Sequence, residues 1–295
     1  MDLQDAVVDF VRRASLEVAA HDADLVPAAA RWLPPETKLY IAHTPRASFQ
    51  DVIQTAGVVQ SAGFRACPHV VARRVPSEAA LRSGLRELCD MGVEDALFVA
   101  GDLAKPLGPF NSSLEVLNFT NLKEFGISSV GVAGHPEGHR TIGPARLWSA
   151  IREKQDLASR VGLDMRIVTQ FGFNPEAVCK WERALALGGI HLPVHVGMAG
   201  PTSPQRMVIF AMQCGVRSSL QGVMSRLSAI AWNQRPAMSP GETVIRVLAS
   251  RSPSSAIVQP HFYTFGGLVA ASQWIRRVID GMFELHDENT LVVKA

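Results

Sequence analysis

Two carboxylates stand where apolar runs of the sequence would otherwise continue: Glu17 in SLEVAAHD and Asp102 directly after FVAG. Burying a carboxylate at such a position costs free energy, which indicates that the residue has a functional role. If the two face one pocket, one with a raised pKa can act as a general acid while the other stays ionised and stabilises a cation. The structural alternative is that Glu17 pairs with an arginine near the barrel mouth and that Asp102 caps the loop after it.

Further polar residues follow apolar runs in the same way. They are Thr44, His69, His135, Glu137, His139, Gln170, His195 and His261. The histidines could contact a phosphate or the edge of a ring, or could serve as buried structural donors. Gly101, beside Asp102, would let the backbone approach a planar ligand or a pyrophosphate closely.

The sequence predicts no metal site. Its four cysteines are Cys67, Cys89, Cys179 and Cys214. They include no CxxC pair, which favours buried free thiols over a metal centre. His135 and His139 are four residues apart, but Pro136 and Gly138 prevent the helix that would place both on one face. The patterns GxGxxG after a strand, GxxxxGK[ST] and GxSxG are absent, so neither a nucleotide-binding loop nor the simplest hydrolase is indicated.

Short apolar runs alternate with longer amphipathic ones, the pattern of repeated βα units around a parallel sheet. Strands are predicted at Ser15–Ala19, Lys38–His43, Arg65–Val71, Asp95–Ala100, Ser128–Ala133, Met165–Phe171, Leu192–Val196 and Ile257–Tyr263. Eight strands close a TIM barrel, in which functional groups lie at the carboxyl ends of the strands and in the loops that follow. The polar residues named above should therefore converge on one rim.

Polar N-caps, with proline in the first turn of some helices, mark where helices begin. Helices are predicted after Ser48, Ser77, Asn174 and Ser203, and Gly63, Gly92, Gly188 and Gly215 should end them. Residues 216–255 contain two helix-like pieces, which predict an extra helical insertion before the last βα unit. We predict a single (βα)8 domain over residues 1–295, in which residues 282–295 form a loose or packed C-terminal extension.

Composition fits this reading, since the 295 residues are 47% hydrophobic and 19% charged, enough for one barrel-sized core. Lys and Arg (29) nearly balance Asp and Glu (27) without any basic block, so nucleic acid is not an expected partner. No apolar stretch approaches the ~20 residues that span a bilayer. The start, MDLQDAVVDF, lacks the pattern of a signal peptide. We expect a soluble, cytoplasmic protein without membrane contact, and leave a homo-oligomer open.

In their order along the chain, the strand-end segments resemble those of the methylenetetrahydrofolate reductase family. SLEVAA is similar to that family's S-F-E-F, CPHVV to P-H-L, and FVAGD to A-L-R-G-D. GVAGHPEGH is similar to A-A-Y-P-E-x-H, VTQFGFN to I-T-Q-F-F-F-D, and PHFYTFGG to F-H-F-Y-T-L-N. The resemblance runs from about Ser15 to Gly281 and implies a (βα)8 barrel.

The resemblance implies that 5,10-methylenetetrahydrofolate is reduced to 5-methyltetrahydrofolate by NADH or NADPH through FAD. Glu17 would be the general acid that opens the imidazolidine ring to the 5-iminium cation, and Asp102 would hold the pterin and favour that cation. Gln170 would hydrogen-bond the pterin, with Phe171 beside it in the substrate site. The flavin site would be lined by Thr44, His69, Gly101, His135, His139 and Lys154.

Several departures from the family's pattern lie in the flavin half of this site. The arginine before Gly-Asp is Ala100 here, the tyrosine before Pro-Glu is His135, the glycine-rich second loop reads TPRASF, and QDLASRVGLD is longer than the family's turn. Direct hydride transfer from the nicotinamide to the folate, without flavin, therefore stays open. So does a catalytically silent barrel that binds folate or flavin and regulates a partner. A pterin-dependent methyltransferase is a third alternative, against which the absence of a Cys/His metal cluster counts.

Overall fold

The computed structural model describes residues 2–172, 174–203, 239–287 and 290–294. Within them, eight parallel strands close into a barrel in the order of the sequence. Its strands are β1 (Ser15–Ala19), β2 (Lys38–Ala42), β3 (Arg65–Val71), β4 (Asp95–Val99), β5 (Ser129–Gly134), β6 (Asp164–Thr169), β7 (Val194–Ala199) and β8 (Ile257–Tyr263). Pairing of Ser15 with His261 and of Leu16 with Phe262 closes the ring between β1 and β8. The predicted TIM barrel is confirmed, with strand ends that differ by a few residues.

Helices alternate with the strands. They are α1 (Leu3–Arg12), α2 (Val26–Ala29), α3 (Phe49–Ser61), α4 (Glu78–Asp90), α5 (Ser113–Phe119), α6 (Pro144–Val161), α7 (Pro175–Leu187), α8 (Gly241–Ser250) and α9 (Leu268–Ile279). Short 3-10 segments lie at Ala20–Leu25, Ala72–Arg74 and Leu122–Phe125. Helix α8 belongs to the predicted insertion, whose remainder between residues 204 and 238 lies outside the described residues.

The predicted helix caps are confirmed at the amino ends. The Ser48 hydroxyl oxygen accepts a hydrogen bond from the Asp51 amide, and the Ser48 amide donates one to the Asp51 carboxylate, which completes a capping box. Ser77 and Asn174 accept hydrogen bonds from backbone amides in the same way.

At the carboxyl ends, Gly63 and Gly92 have the expected positive φ. The prediction for Gly188 is wrong by one residue, since Gly188 has φ −82° and Gly189 takes the left-handed turn at φ +77°. The predicted helix after Ser203 and its end at Gly215 lie outside the described residues.

Side chains alternate between two environments along each strand, as the two-residue period requires. Leu16 and Val18 of β1 are buried in the large apolar layer that the strands share with the helices. A second, smaller apolar cluster fills part of the barrel interior and consists of Tyr40, Cys67, Leu97 and Val168. The inward positions of β1, in contrast, are polar, which explains how Glu17 comes to stand between two apolar residues.

A network of charged residues lies inside the barrel toward the amino ends of the strands. The Arg166 guanidinium donates hydrogen bonds of 2.8 Å each to the Tyr40 hydroxyl, the Ser129 hydroxyl and the Asp95 carboxylate. The second carboxylate oxygen of Asp95 pairs with Lys38. Arg166 and Asp95 are only 6% and 9% exposed, so these charges compensate each other away from water.

Residues after Gly281 form an antiparallel hairpin of β9 (Phe283–Asp287) and β10 (Thr290–Val293). Phe283 and Leu291 are buried, and a Cβ at Gly241, the first residue of α8, would lie 2.7 Å from the Leu291 carbonyl. The extension is therefore packed against α8 rather than loose.

The expectation of buried thiols holds for Cys67 and Cys179 and is wrong for Cys89, which is exposed near the end of α4. Cys214 lies outside the described residues.

The buried network predicts a large stability effect. Asp95→Ala leaves Arg166 and Lys38 without their carboxylate, and loss of one partner of a buried ion pair costs about 3 to 5 kcal/mol of unfolding free energy. Asp9→Ala is the control, since it removes the Arg13–Asp9 pair, in which the side chains are 57% and 44% exposed. Such surface pairs contribute less than about 1 kcal/mol. Urea denaturation measures both, and equal losses would contradict the compensation inside the barrel.

Candidate active site

Glu17 lies in the middle of β1 with its side chain in the barrel, where 20% of it stays exposed. Its Oε2 is 3.8 Å from Nε2 of His69, which is close but too far for a hydrogen bond. Burial raises the pKa of Glu17 to about 8, and no arginine or lysine of the described residues offsets this rise. Glu17 is therefore mainly protonated at neutral pH, the state that a general acid requires. Among the described residues, no arginine pairs with Glu17 as the structural alternative requires.

Two uncharged imidazoles also lie in the barrel interior, His69 of β3 and His261 of β8. Their ring centroids are 6.2 Å and 4.5 Å from that of Tyr40. Burial lowers the pKa of each to about 3. Nδ1 of His261 shares a 3.0 Å hydrogen bond with Ser15 Oγ, whereas Nε2 of both rings is buried without a hydrogen-bond partner in the described part of the chain. This part of the interior is thus polar but uncharged.

Asp102 lies in the loop after β4, and its side chain is 77% exposed. Its Oδ1 accepts a 3.1 Å hydrogen bond from Arg74, a residue that is only 10% exposed. Arg74 also donates to the carbonyl of Thr44 at 3.3 Å. Arg74 therefore ties together the loops after β2, β3 and β4, and holds the Asp102 carboxylate at the rim while Glu17 lies inside the barrel.

Gly101 is required by the backbone that carries Asp102. Its φ is +88°, and a Cβ at this position would lie 2.4 Å from Cγ1 of Val71. Only glycine fits such an approach in a left-handed conformation. The close approach predicted at Gly101 is thus made to β3 of the protein itself.

Aromatic side chains connect the ends of β6 and β8. The Phe171 ring lies 5.5 Å from Tyr263 and 5.1 Å from Phe265, whose rings stack on each other at 6.3 Å and 19°. Phe265 has φ +50°, uncommon for a residue other than glycine and held here by these contacts. Gln170 precedes Phe171 and is half-buried. Its backbone amide donates a hydrogen bond to the Gly134 carbonyl at 2.9 Å. Phe171 is only 1% exposed, so it contacts the rings of Tyr263 and Phe265 from the protein interior.

Two polar atoms at the end of β2 are buried without a hydrogen-bond partner among the described residues: Thr44 Oγ1 and His43 Nδ1. His43 is 8% exposed and lies nearly parallel to Phe49, with ring centroids 6.3 Å apart. Burial, with the nearby Arg74, lowers the pKa of His43 to about 4. His43 lines a groove of about 580 Å³ between α3 and α4.

His135, His139 and Lys154 come together where α6 follows β5. The two imidazole centroids are 5.1 Å apart, edge to face, and Nδ1 of His139 accepts from the Thr141 amide at 3.2 Å. Lys154 is 9% exposed and has neither a hydrogen bond nor an ion pair with the described residues. Burial lowers the pKa of Lys154 to about 8, and burial together with His139 and Lys154 lowers that of His135 to about 4. Lys154 is thus a buried cation without an ion pair among the described residues, although the charge of neighbouring Glu153 partly favours its protonated form.

The structure thus divides the predicted site residues into groups along the rim and interior. Glu17 lies next to His69 in the barrel interior. Thr44 and Asp102 are connected at the rim by hydrogen bonds from Arg74, and Gln170 is adjacent to Phe171 in the chain. Sequence reasoning missed His43, Arg74 and Tyr263. His43 and Tyr263 end their predicted strands and Arg74 follows one closely, so the same positional filter could have included them.

Comparison with known families tests the assignment. The sequence profile described as methylenetetrahydrofolate reductase matches residues 42–277, from the end of β2 into α9. The chain belongs to the methylenetetrahydrofolate reductase family. The match begins after β1, so the role of Glu17 in this family member depends on the similarity of SLEVAA and on the geometry above.

In this family member no helix of the described residues is long and apolar enough to cross a membrane. Nor does that part of the chain group three or more His, Cys, Asp or Glu side chains as a metal site would require.

The buried carboxyl makes stability depend on pH in a defined direction. The folded-state pKa of Glu17, about 8, exceeds the model-peptide value of 4.5, so the folded protein binds more protons between these values. The stabilisation from Glu17 is then complete below the lower value and is lost as pH rises through the higher one.

Glu17→Gln stays neutral at every pH and provides the comparison. The free energy of unfolding of the wild type minus that of the variant should decrease from about pH 5 to about pH 9, in urea denaturation. Protonation of the buried histidines affects both proteins and cancels. A difference that does not vary with pH would contradict a buried, protonated Glu17.

Proposed function

We propose that this protein is a folate one-carbon oxidoreductase that interconverts 5,10-methylenetetrahydrofolate and 5-methyltetrahydrofolate, with NADH or NADPH as hydride donor and FAD as bound carrier. Membership of the family supports a reductase of this kind. The observation that carries the proposal is Glu17, a carboxyl with a pKa raised to about 8 inside the barrel. Such a group can hold a proton for a substrate that must be protonated before it is reduced.

Glu17 would act first. Its proton goes to one nitrogen of the imidazolidine ring, the bond from that nitrogen to the bridging carbon breaks, and an iminium cation remains on the other nitrogen. The Glu17 carboxylate formed in this step lies in a poorly solvated place, where its attraction for the new cation is strong. Hydride addition to the bridging carbon then gives the methyl group.

The rim residues would orient the pterin. Asp102, held by Arg74, offers a fixed negative charge for the cation. Gln170 carries both a donor and an acceptor, which suits the mixed hydrogen-bonding edge of a pterin. Tyr263 and Phe265 supply flat apolar faces next to it, with Phe171 behind them.

The residues present fit a flavin dinucleotide alongside α6. Lys154 is a buried ammonium that makes no ion pair with the described residues, and an anionic group next to it would offset the cost of burying this charge. Lys154, His135 and His139 would hold the pyrophosphate, and Thr44, Gly101 and His69 would line the remainder. When bound, FAD supplies a carrier that accepts hydride from the nicotinamide and gives it to the folate.

Glu17→Gln tests the role of the acid. The amide keeps the size and polarity of Glu17 but has no proton to give, so folate turnover should fall by ~100-fold or more. Reduction of bound flavin by NAD(P)H opens no ring and should be unchanged. Stopped-flow absorbance follows the two half-reactions separately, and an equal loss in both would refute the role of Glu17.

Lys154→Met tests the cofactor site with a readout other than activity. Loss of the ammonium removes a charge-assisted hydrogen bond and should weaken FAD binding by about one to two decades in a fluorescence titration. The same change should raise the unfolding free energy of FAD-free protein, because the buried unpaired charge is gone. Arg152→Met is the matched control on α6, since Arg152 is exposed and donates to the Gly188 carbonyl.

Experiments on protein from which FAD has been removed distinguish the flavin-dependent reductase from the two alternatives, direct hydride transfer and a silent regulatory barrel. FAD added back should raise the melting temperature and restore folate turnover. Complete NAD(P)H-dependent turnover in protein shown to contain no flavin would establish direct hydride transfer instead. Ligand binding without turnover of folate would establish the silent regulatory barrel. Unchanged FAD affinity in Lys154→Met would remove Lys154 from the cofactor site.

A further inference from the structure

The proposed reaction consumes one proton in each turnover, since methylenetetrahydrofolate, NAD(P)H and a proton give methyltetrahydrofolate and NAD(P)⁺. Glu17 gives up that proton and is left as a carboxylate in the barrel, with 20% of its side chain exposed. It must recover a proton from solvent before the next cycle. While a folate is seated over Glu17 the direct approach of water is restricted, and a neighbouring side chain could return the proton instead.

His69 is placed to provide such a route. Its Nε2 is fully buried and faces Glu17 Oε2 at 3.8 Å, and a shift of about 1 Å would bring the two atoms to hydrogen-bond distance. The side chain nevertheless keeps 13% exposure, which must come from other parts of the ring because Nε2 has none. Nδ1 makes no hydrogen bond with the described residues and is not among their buried unpaired atoms. One ring nitrogen thus faces Glu17, and the other is left without a partner by the described residues.

Resting on the proposed function, we propose that His69 relays protons from solvent to Glu17. Nδ1 takes a proton from an acid in the solvent, and the proton on Nε2 passes to the Glu17 carboxylate. The solvent acid loses one proton, Glu17 gains one, and the ring is neutral before and after. Exchange of the ring protons with water, once product leaves and the mouth opens, restores the starting form.

The other titratable groups around His69 do not offer the same route. Tyr40 is fully buried, and burial raises its pKa further. His261 is fully buried and has its Nδ1 engaged with Ser15. His43, whose charge would lower the pKa of His69, lies at the end of β2 and lines the groove between α3 and α4. Of these described groups, His69 is the one in contact with Glu17 that also has an accessible ring nitrogen.

His69→Ala tests the relay by counting turnovers. The wild-type and variant enzymes, loaded with NAD(P)H, are mixed with methylenetetrahydrofolate and quenched, and methyltetrahydrofolate is measured per site. Glu17 starts protonated, so we expect one equivalent of product in a fast phase, followed by turnovers slowed by at least about 10-fold with little change in KM. Added imidazole should fit the vacated space and accelerate the slow phase.

Controls separate a relay from a structural role. In the double variant Glu17→Gln/His69→Ala, imidazole should have no effect, because the acceptor carboxylate is absent. His261→Ala removes a neighbouring, fully buried imidazole whose Nδ1 is engaged with Ser15, and imidazole should not rescue it. If His69→Ala does not fold, His69→Gln keeps the volume without a relaying group and should still show one fast turnover followed by slow ones.

Loss spread evenly over first and later turnovers, without rescue by imidazole, would overturn the relay. Recovery by excess FAD instead of imidazole would overturn it too, and would leave His69 as a cofactor contact. A wild-type enzyme that forms no methyltetrahydrofolate would overturn the proposed function together with this inference. The failure of the relay and that of the proposed function are therefore distinguishable.

Discussion

The barrel interior must hold polar side chains away from bulk water, and it meets this constraint differently at its two ends. Toward the amino ends of the strands, Arg166, Asp95 and Lys38 are charged and compensate each other. Farther along, burial keeps Glu17 and His69 neutral, and neither has a charged partner in the part of the chain that the structure describes. The same low polarity of the surroundings therefore produces a rigid ion network at one end and a proton-holding group at the other.

Much of the fold follows from residue periodicity alone. The eight apolar runs and the caps at Ser48, Ser77 and Asn174 were readable because each depends on local sequence. The hairpin after Gly281 was not, since it packs against α8 and α9, which are distant in sequence. Local patterns do not reveal what a segment packs against.

The sequence predicts where the site residues lie better than it predicts which residues they contact. That Glu17 faces the interior follows from its place between Leu16 and Val18, but its raised pKa comes from burial, which only the closed barrel shows. Likewise, Arg74 lies 28 residues before Asp102 in the sequence and meets it because β3 and β4 are neighbours. Residue types at strand ends therefore identify candidates, whereas their protonation states require the three-dimensional arrangement.

Ala100 stands where the family pattern has an arginine, and the position of Arg74 gives a physical reason for this difference. The family pattern has an arginine directly before Gly-Asp, and here the guanidinium beside Asp102 comes from the segment after β3 instead. Because Arg74 is committed to both Asp102 and the Thr44 carbonyl, its donors on that side are already engaged. A buried positive charge without an ion pair among the described residues lies instead at Lys154, close to His135. An anionic cofactor would thus find its buried electrostatic partner at Lys154 of α6, while Arg74 holds the Asp102 carboxylate at the β4 rim.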